Sequence, residues 1–377
     1  MKIAIDVSQI VYQTGVSRYT ENLVESLLKV DNKNDYLLFG TSLRQLPRLN
    51  KLKKKFAALE NVQFKFFPFP IGFFEIIFNK IHLIKLEKVI GNFDILHTSD
   101  WIEPAINQNE SKKITTIHDV VPYLFPSSLP RRILKNQEVR LKLVKKESDL
   151  IIAVSNSTKE DVVKFLEIPN ERIRVINNAA SPAFKPQLEE KINEVLSKFK
   201  IKKPYILSVA TQEPRKNIQK LVDAFEKINK AKPELNLVLT GKYGWGPALD
   251  VVPNVIQTGF VKEEELISLY AGCAVFVYPS LYEGFGLPVL EAMACGAPVI
   301  TSNNSSLVEI AKDAAILIDP RSEGQLKKAL EIILNLDTED RQKMVRASLD
   351  RARQYSWSKT AKETLKVYEE LARIIVR

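Results

Sequence analysis

The first half of the chain is a series of short apolar runs separated by loops and amphipathic stretches. Residues 2–8 form an apolar run that predicts a buried strand, and a polar loop that ends at Gly15 follows it. Residues 16–30 then place apolar side chains at helical spacing. Further strands are predicted at 36–39, 62–67, 94–98, 113–118, 149–154 and 172–178. Buried runs that alternate with helices favour a parallel sheet covered on both faces.

The composition changes at residues 181–203, which are polar, rich in lysine and begin with two prolines, so we place a linker near Pro182–Pro186. A second alternating series follows. It predicts strands at 204–210, 235–240, 254–258, 274–278, 298–301 and 315–318. The predicted helices span 217–230, 263–271, 288–295, 322–335, 340–354 and 358–377. Both halves therefore follow a doubly wound α/β pattern.

Composition and charge narrow the class of protein. No run of about 20 apolar residues occurs, so no transmembrane helix is expected, and the first residues do not have the pattern of a signal peptide. The two cysteines, Cys273 and Cys295, are more typical of buried thiols than of a disulfide. The net charge of +10 comes mainly from residues 1–180 and favours an anionic partner. No nucleic-acid motif is present, which leaves open a solvated basic surface or a membrane-facing one.

Two carboxylates stand out in residues 279–302, at the carboxyl end of a predicted strand. Glu283 lies in the loop after the strand, and Glu291 lies in the first turn of the next predicted helix. Ligands of open α/β sheets bind at this edge, and a carboxylate can accept hydrogen bonds from the two hydroxyls of a ribose or a hexose. Gly284 and Gly286 let the backbone approach a ligand with its N–H groups exposed. Alone, Glu291 could be an ordinary glutamate in the first turn of a helix, favoured by the helix dipole. The whole string of residues 279–302 disfavours this interpretation.

Arg215 and Lys216 precede a helix that is predicted to begin near Asn217. A helix N-terminus attracts anions, so the pair suits either a diphosphate clamp or a basic turn that faces water. His118 ends a predicted strand and is favoured over the other two histidines as a reactive group, because Asp119 and a proline-containing loop follow it. Neither a GxGxxG nor a P-loop pattern occurs, which disfavours a dehydrogenase or a P-loop kinase.

The string EGFGLPVLEAMACGAPVI resembles the signature of retaining glycosyltransferase family 4, whose fold is GT-B, with the E-x7-E motif on Glu283 and Glu291. EPRKN at 213–217, IHD at 117–119 and GVSRYTENL at 15–23 also match, and the resemblance covers the whole chain. It implies two Rossmann-like domains that face each other across a cleft. Residues 1–183, joined by the last helix at about 358–377, would bind the acceptor, and residues 184–357 would bind the nucleotide sugar.

The resemblance also implies roles for individual residues. Glu283 would contact hydroxyls of the donor sugar, and Glu291 would hold the ribose. Arg215 and Lys216 would bind the diphosphate, and His118 would lie near the reacting centre. The other implied donor-binding residues are Gly15 near the phosphates, Phe260 and Val261 beside the base, and Gly284, Phe285, Gly286 and Leu287 along the pocket. Many members carry Gly-Arg where this chain has Val209-Ala210, which gives Arg215 more weight.

The activity implied is the transfer of a hexose with retention of configuration, without a cofactor or a metal ion. The motifs most resemble those of bacterial enzymes that use GDP-mannose, while UDP-glucose, UDP-galactose and UDP-N-acetylglucosamine stay open as donors. The acceptor would be a glycan or a lipid-linked molecule used for cell-surface polysaccharide or glycolipid, and the enzyme would be cytoplasmic. Residues 62–90 would either fill the N-terminal core, which is favoured, or meet an anionic membrane peripherally. A UDP-sugar epimerase and a non-catalytic nucleotide-sugar-binding protein are the alternatives of another class.

Overall fold

A computed structural model describes residues 1–250 and 252–375 of the 377-residue chain. These residues divide into two compact units. The first contains Met1–Asn178 together with the C-terminal helix from Trp357, and the second contains Ala179–Ser356. The segment near Pro182–Pro186 lies within the second unit. Each unit is a Rossmann-like α/β domain, as the alternating pattern predicts.

The described strands of the first unit form one parallel sheet. They are β1 Lys2–Asp6, β2 Asp35–Thr41, β3 Val62–Phe67, β4 Ile95–Thr98, β5 Lys112–Ile117, β6 Leu150–Ala153 and β7 Ile173–Val175. Their spatial order is β3-β2-β1-β4-β5-β6-β7, with every neighbouring pair parallel. The winding direction reverses between β1 and β4, and doubly wound folds bind their ligands outside the carboxyl ends of such strands.

The helices up to Asn178 cover this sheet. The α-helices are α1 Gly15–Val30, α2 Leu46–Lys55, α3 Ile71–Phe74, α4 Glu87–Ile90, α5 Val121–Leu124, α6 Arg131–Glu147 and α7 Asn156–Leu166, and a π-helix, Glu75–Ile81, continues α3. A 3₁₀-helix, Ser8–Tyr12, follows β1, so the strand ends two residues earlier than predicted. Thr14 and Ser17 form a reciprocal capping box that fixes the start of α1.

The second unit repeats the architecture with fewer strands. They are β8 Tyr205–Val209, β9 Asn236–Thr240, β10 Val255–Gly259, β11 Val275–Tyr278, β12 Val299–Ser302 and β13 Ile316–Ile318, in the parallel order β10-β9-β8-β11-β12-β13. The helices are α8 Glu189–Lys198, α9 Ile218–Asn229, α10 Glu263–Gly272, α11 Leu287–Ala294, α12 Ser305–Ala311, α13 Glu323–Leu334 and α14 Thr338–Arg353. The sequence analysis predicted these strands and missed two helices, α8 and the short α12. Helix α8 was missed because its lysines and glutamates resemble a linker.

The C-terminal helix α15, Trp357–Ile375, packs against α1 and against strands β4 and β5 of the first unit. The Tyr368 hydroxyl is fully buried and lies 2.6 Å from Nδ1 of His97, whose Nε2 lies 2.8 Å from the Thr116 hydroxyl. Burial lowers the pKa of His97 to about 3. His97 is thus a neutral core residue that fastens the last helix to the sheet, and the predicted return of that helix is confirmed.

The segment 62–90 is split between core and surface. Phe74, Phe78, Leu86 and Ile90 are buried against the sheet, as the favoured interpretation predicts. Six other large apolar side chains in the same segment are exposed: Phe69, Phe73, Ile76, Ile81, Leu83 and Ile84. In the described part of the chain, no helix is long and apolar enough to span a bilayer.

The neutral state of His97 predicts a pH dependence of stability. Below pH 6.5 the unfolded chain binds a proton at this histidine, and the folded protein does not until about pH 3. Acid therefore favours unfolding, by about 1.4 kcal/mol per pH unit for one such group. We expect His97→Gln to lose this part of the slope when urea unfolding is compared at pH 6.5 and pH 5.

Tyr368→Phe is the matched control, because it removes the hydroxyl that bonds His97 and leaves the histidine in place. This variant should be less stable at both pH values and should keep the slope. An unchanged slope in His97→Gln would show that another group causes the acid sensitivity.

Candidate active site

The carboxyl edge of the second sheet brings together two loops that are far apart in the sequence. One follows β8 and the other follows β11, and these strands are neighbours in the sheet. The backbone N–H of Leu281 donates to the carbonyl of Arg215 at 2.8 Å. The Asn217 side-chain amide donates to the carbonyls of Pro279 and Pro320 at 3.1 and 2.8 Å. The two loops therefore form one connected surface.

Arg215 and Lys216 do not lie on α9 itself. They belong to a 3₁₀ turn, Pro214–Lys216, and Asn217 then adopts a left-handed conformation before α9 begins at Ile218. The turn directs both cations to Glu283 on the second loop. Lys216 Nζ lies 2.7 Å and Arg215 Nη1 lies 3.1 Å from Oε1 of Glu283.

The surrounding groups complete a buried polar cluster. The Ser280 hydroxyl donates to Oε1 of Glu283 at 2.6 Å, and Lys216 Nζ donates to the Tyr278 hydroxyl at 2.9 Å. Arg215 donates to Oε1 of Glu213 at 2.6 Å and to the carbonyl of Tyr282. We refer to Glu213, Arg215, Lys216, Tyr278, Ser280 and Glu283 as the charged cluster. Its two cations and two carboxylates balance in formal charge.

Burial acts on the charges of this cluster in opposite directions. For Glu283 burial would raise the pKa, but the charges of Lys216 and Arg215 outweigh it and lower the pKa to about 2. For Lys216 burial lowers the pKa, the charge of Arg215 adds to this, and Glu283 opposes it. Glu283 is therefore ionised at any physiological pH and can only accept hydrogen bonds.

The loop from Glu283 to Leu287 is held by the start of α12. The Ser306 hydroxyl lies 2.8 Å from the carbonyl oxygen of Glu283 and 2.7 Å from that of Phe285. Because a trans peptide is planar, the next N–H points opposite to each carbonyl. The N–H groups of Gly284 and Gly286 therefore point away from the Ser306 hydroxyl.

Glu291 lies on helix α11 and not in the loop that carries Glu283. It occupies the second turn of α11, one turn later than predicted, and it is 2% exposed. The Tyr270 hydroxyl donates to its Oε2 at 3.3 Å. Its predicted role at a ribose stays a prediction.

Phe260 and Val261, predicted to flank a base, differ in exposure. Phe260 is 55% exposed and lies under the Lys242 ammonium at 5.6 Å, whereas Val261 is buried. A pocket nearby lies at the carboxyl ends of β8, β9 and β10. It is lined by residues that the sequence analysis did not single out, among them Ser208, Gln212, Thr240, Gly241, Tyr243 and Gln257.

His118 and Gly15 belong to the first unit. Gly15 is exposed and is the first residue of α1. His118 follows β5, and its ring meets that of Tyr19 on α1 edge to face at 4.7 Å. Burial, with a smaller contribution from Arg140, lowers the pKa of His118 to about 3, so its imidazole is neutral. Its Nε2 is buried and has no hydrogen-bond partner among the described residues.

The structure thus brings Arg215, Lys216 and Glu283 into direct contact and leaves the other predicted residues outside that cluster. Sequence reasoning missed Glu213, Tyr278, Ser280 and Ser306. The position of Ser306 could have indicated it as a site residue. It belongs to the polar string TSNNSS at the carboxyl end of β12, a strand of the same sheet.

Comparison with known proteins gives matches over both units. Residues 13–184 match the model named Glycosyltransferase Family 4, and residues 190–351 match the model named Glycosyl transferases group 1. O-antigen chain mannosyltransferase B of Escherichia coli is 29% identical over 392 aligned residues, which cover 98% of this chain and 100% of that protein. The serotype-specific mannosyltransferase WbdA of Escherichia coli is 30% identical over 66% of this chain, and the match spans 32% of WbdA.

Solved structures agree with the fold. The crystal structure of Anabaena Alr3699/HepE in complex with UDP-glucose matches with a TM-score of 0.70 at 16% identity, over 98% of this chain and 100% of that one. At this level of identity the likeness concerns the fold alone.

The conformation of Gly286 predicts that two glycine-to-alanine substitutions differ sharply in their effect on stability. Its φ is +112°, and an added Cβ would lie 2.8 Å from Cδ2 of Leu307 on α12. Gly286→Ala should therefore destabilise the protein by about 1–3 kcal/mol and displace the loop that carries Glu283. The measurement is thermal or urea unfolding of the purified variant.

Gly324→Ala is the control. This glycine lies in α13, where an added Cβ meets nothing within 4 Å, so alanine should be neutral or stabilising by up to about 1 kcal/mol. Equal stability of the two variants would contradict the assigned conformation of Gly286.

Proposed function

Since this chain is a hexosyltransferase of the glycosyltransferase family 4 type with a GT-B fold, we propose that it transfers mannose from GDP-mannose to a glycan, with retention and without a metal ion. The observation that carries the choice of mannose is the match to O-antigen chain mannosyltransferase B, which extends over the full length of that protein. WbdA, a second match, is also named a mannosyltransferase. A polysaccharide acceptor agrees with the name of the first relative.

The charged cluster is the proposed binding site of the diphosphate. Arg215 and Lys216 are ordered before a ligand arrives, because Glu213 and Glu283 already hold their side chains. Cations fixed in this way can stabilise the charge that develops on a departing diphosphate with little reorganisation. Backbone groups of residues 284–287 would line the donor pocket beside it.

Glu283 is proposed to bind hydroxyls of the donor sugar. Its permanently ionised carboxylate accepts hydrogen bonds, and the three contacts described above all use Oε1. Lys216, Arg215 and Ser280 therefore fix the orientation of the carboxylate. For His118 we propose a role near the reacting centre, because its ring is neutral and its buried Nε2 has no partner among the described residues.

Retention is proposed to proceed by front-face attack, in which the leaving phosphate assists the acceptor hydroxyl. The departing diphosphate would take up the proton of that hydroxyl as the new glycosidic bond forms. Arg215 and Lys216 would hold the diphosphate in place, and the transition state would resemble an oxocarbenium ion. An enzymic nucleophile is not part of this proposal, and the anomeric configuration of the product tests it.

UDP-sugars are the second candidate donors, since Anabaena Alr3699/HepE was solved with UDP-glucose in a related fold. An epimerase would turn over the sugar nucleotide without an acceptor, and a non-catalytic protein would bind it without turnover.

A donor screen separates these possibilities. We expect GDP-mannose to raise the unfolding temperature more than UDP-glucose, UDP-galactose or UDP-N-acetylglucosamine, because a ligand at 100 times its Kd stabilises by about 2.7 kcal/mol. Lys216→Met and Glu291→Ala should each lose this shift. Lys227→Met, at an exposed ion pair with Glu323, is the matched control and should keep it.

Transfer is then measured with radiolabelled donor and a polysaccharide acceptor, where Lys216→Met should lower the rate about 100-fold or more. Stabilisation by a UDP-sugar alone would overturn the choice of GDP-mannose. A full rate in Lys216→Met would overturn the proposed role of the charged cluster.

We also propose that the first unit meets an anionic membrane through the exposed apolar segment, Phe69–Ile84. Its six exposed apolar side chains include Phe69 and Phe73, whose rings lie 5.1 Å apart. Lys80 within the segment and Lys65, Lys85 and Lys88 close to it in the chain are exposed, and Arg132 of α6 forms an ion pair with Glu75 of the segment. Apolar side chains bordered by basic ones are typical of an interfacial surface, where both insertion and attraction to anionic lipid contribute.

Vesicle flotation tests this surface. We expect the protein to float with vesicles that contain phosphatidylglycerol. With vesicles of pure phosphatidylcholine it should stay at the bottom of the gradient, because the attraction is electrostatic. The double variant Phe73→Ser, Leu83→Ser should reduce flotation several-fold. Ile332→Ser removes an apolar side chain of the second unit that is about as exposed as Phe73, and it should not reduce flotation. Unchanged flotation of the double variant would rule out the proposed surface.

A further inference from the structure

A glycine-rich loop follows β9 and packs against the loop that follows β8. We refer to residues 241–246, with the sequence GKYGWG, as the glycine loop. Strands β8 and β9 are parallel neighbours, so the loops after them lie at the same edge of the second sheet. This edge also carries the charged cluster. The glycine loop contains none of the residues that the sequence motifs indicate.

The two loops are joined backbone to backbone at Gln212. Its N–H donates to the carbonyl of Lys242 at 3.1 Å, and its carbonyl accepts from the N–H of Gly246 at 3.0 Å. The side chain of Gln212 reaches β10, where its Nε2 donates to Oε1 of Gln257 at 3.0 Å. Gln212 therefore fastens the loop after β8 both to the glycine loop and to the end of the edge strand.

The absence of a side chain at Gly244 makes this contact possible. A Cβ added there would lie 2.3 Å from the carbonyl oxygen of Gln212 and 2.9 Å from Cγ2 of Thr211. The nearer atom belongs to the backbone, so it cannot turn aside as a flexible side chain can. The φ of Gly244 does not lie in the left-handed region. The close approach of two backbones is therefore what requires glycine at this position.

Gln212 is followed directly by Glu213, which holds the cations of the charged cluster. Oε1 of Glu213 lies 2.6 Å from Arg215 Nη2 and 3.8 Å from Lys216 Nζ. The glycine loop also lies against Glu213 itself, since a Cβ added at Gly246 would lie 3.3 Å from the Cα of Glu213. A shift of Gln212 that made room for a methyl group would therefore move the carboxylate that orients Arg215.

Small displacements of Arg215 matter for the proposed chemistry. Fixed charges stabilise a transition state because they need no rearrangement when charge develops, and a misplacement of about 1 Å can cost about 100-fold in rate. The side chains of Arg215 and Glu213 are 10% and 8% exposed, so little water is available to replace a contact that is lost between them.

We infer that the glycine loop is a positioning element for transfer, and that Gly244 acts on Arg215 through Gln212 and Glu213. The close approach of Gly244 sets the path of the loop after β8, and that path sets the place from which Arg215 stabilises the departing diphosphate. The inference rests on the proposed role of the charged cluster. It gives the loop after β9 a part in the rate of transfer without contact to a reacting group.

A double-mutant cycle between Gly244→Ala and Glu213→Ala tests this inference. Each single variant should lower kcat about tenfold or more. The change in KM should be smaller, because cations that act on developing charge contribute more to the transition state than to binding. If Gly244 acts through Glu213, the double variant should lose little more than the poorer single variant. A merely structural role would make the two losses multiply.

Gly296→Ala is the control for a glycine variant that only loses stability. The φ of Gly296 is +81°, so alanine is strained there, but an added Cβ would meet ordinary contacts that begin at 3.4 Å and do not involve Gln212. This variant should unfold more easily and keep its kcat. Gly246→Ala replaces Gly244→Ala if that variant fails to fold. Its Cβ would lie 3.0 Å from the same carbonyl oxygen, so it should lower kcat to a smaller extent.

Transfer is measured with radiolabelled donor and a polysaccharide acceptor, and the unfolding temperature is measured on the same samples. A wild-type kcat in Gly244→Ala, losses that multiply in the double variant, or an equal loss of kcat in Gly296→Ala would each overturn the inference and leave the proposed function intact. Absence of transfer by the wild type would instead overturn the proposed function, and the inference with it.

Discussion

The ion contacts at Glu283 hold the second unit's site together. One carboxylate oxygen receives Lys216, Arg215 and Ser280, and so joins the turn after β8 to the loop after β11. Burying any one of these charges alone would cost several kcal/mol. Buried together, these charges neutralise one another, and the two cations beside Glu283 lower the pKa of its carboxyl. The positions of Gly284, Gly286 and α11 follow from where this junction places the loop.

Parallel sheets concentrate such chemistry, because all their carboxyl ends meet at one edge. Both units use this edge, with different charge. In the second unit two cations and two carboxylates neutralise each other. In the first unit Asp6, Asp100 and Asp119 lie at the ends of adjacent strands, and the charge of Arg140 acts on the first two. The raised pKa of Asp6, about 6, reflects burial first and shows how far these carboxylates are removed from water. One fold used twice thus places polar groups of different charge at the same edge of its two sheets.

The segment 62–90 shows how one amphipathic stretch serves two purposes. Phe74 and Phe78 pack into the core, and their immediate neighbours Phe73 and Ile76 remain exposed. This is the pattern that helical geometry imposes on a stretch that is apolar on nearly every side. A core cannot accommodate all of it, so the remainder forms a surface. Basic residues near that surface would attract it to anionic lipid, which a purely apolar patch would not do.

The sequence by itself determined the class of fold, the approximate limits of the strands and the family. Strands buried on both faces are continuous apolar runs, so their signal is local, and motifs such as E-x7-E are contiguous strings. Three predicted residues, Arg215, Lys216 and Glu283, meet in the structure, because they follow strands whose pairing the fold dictates. The tertiary structure alone decided their partners. Glu213, Tyr278 and Ser306 carry no motif, and their roles depend on which loops lie side by side. The same holds for His97, whose place at a strand end is equally compatible with a reactive group. Contact with Tyr368, 271 positions away, makes it a core residue, and no local pattern encodes a hydrogen bond over that separation.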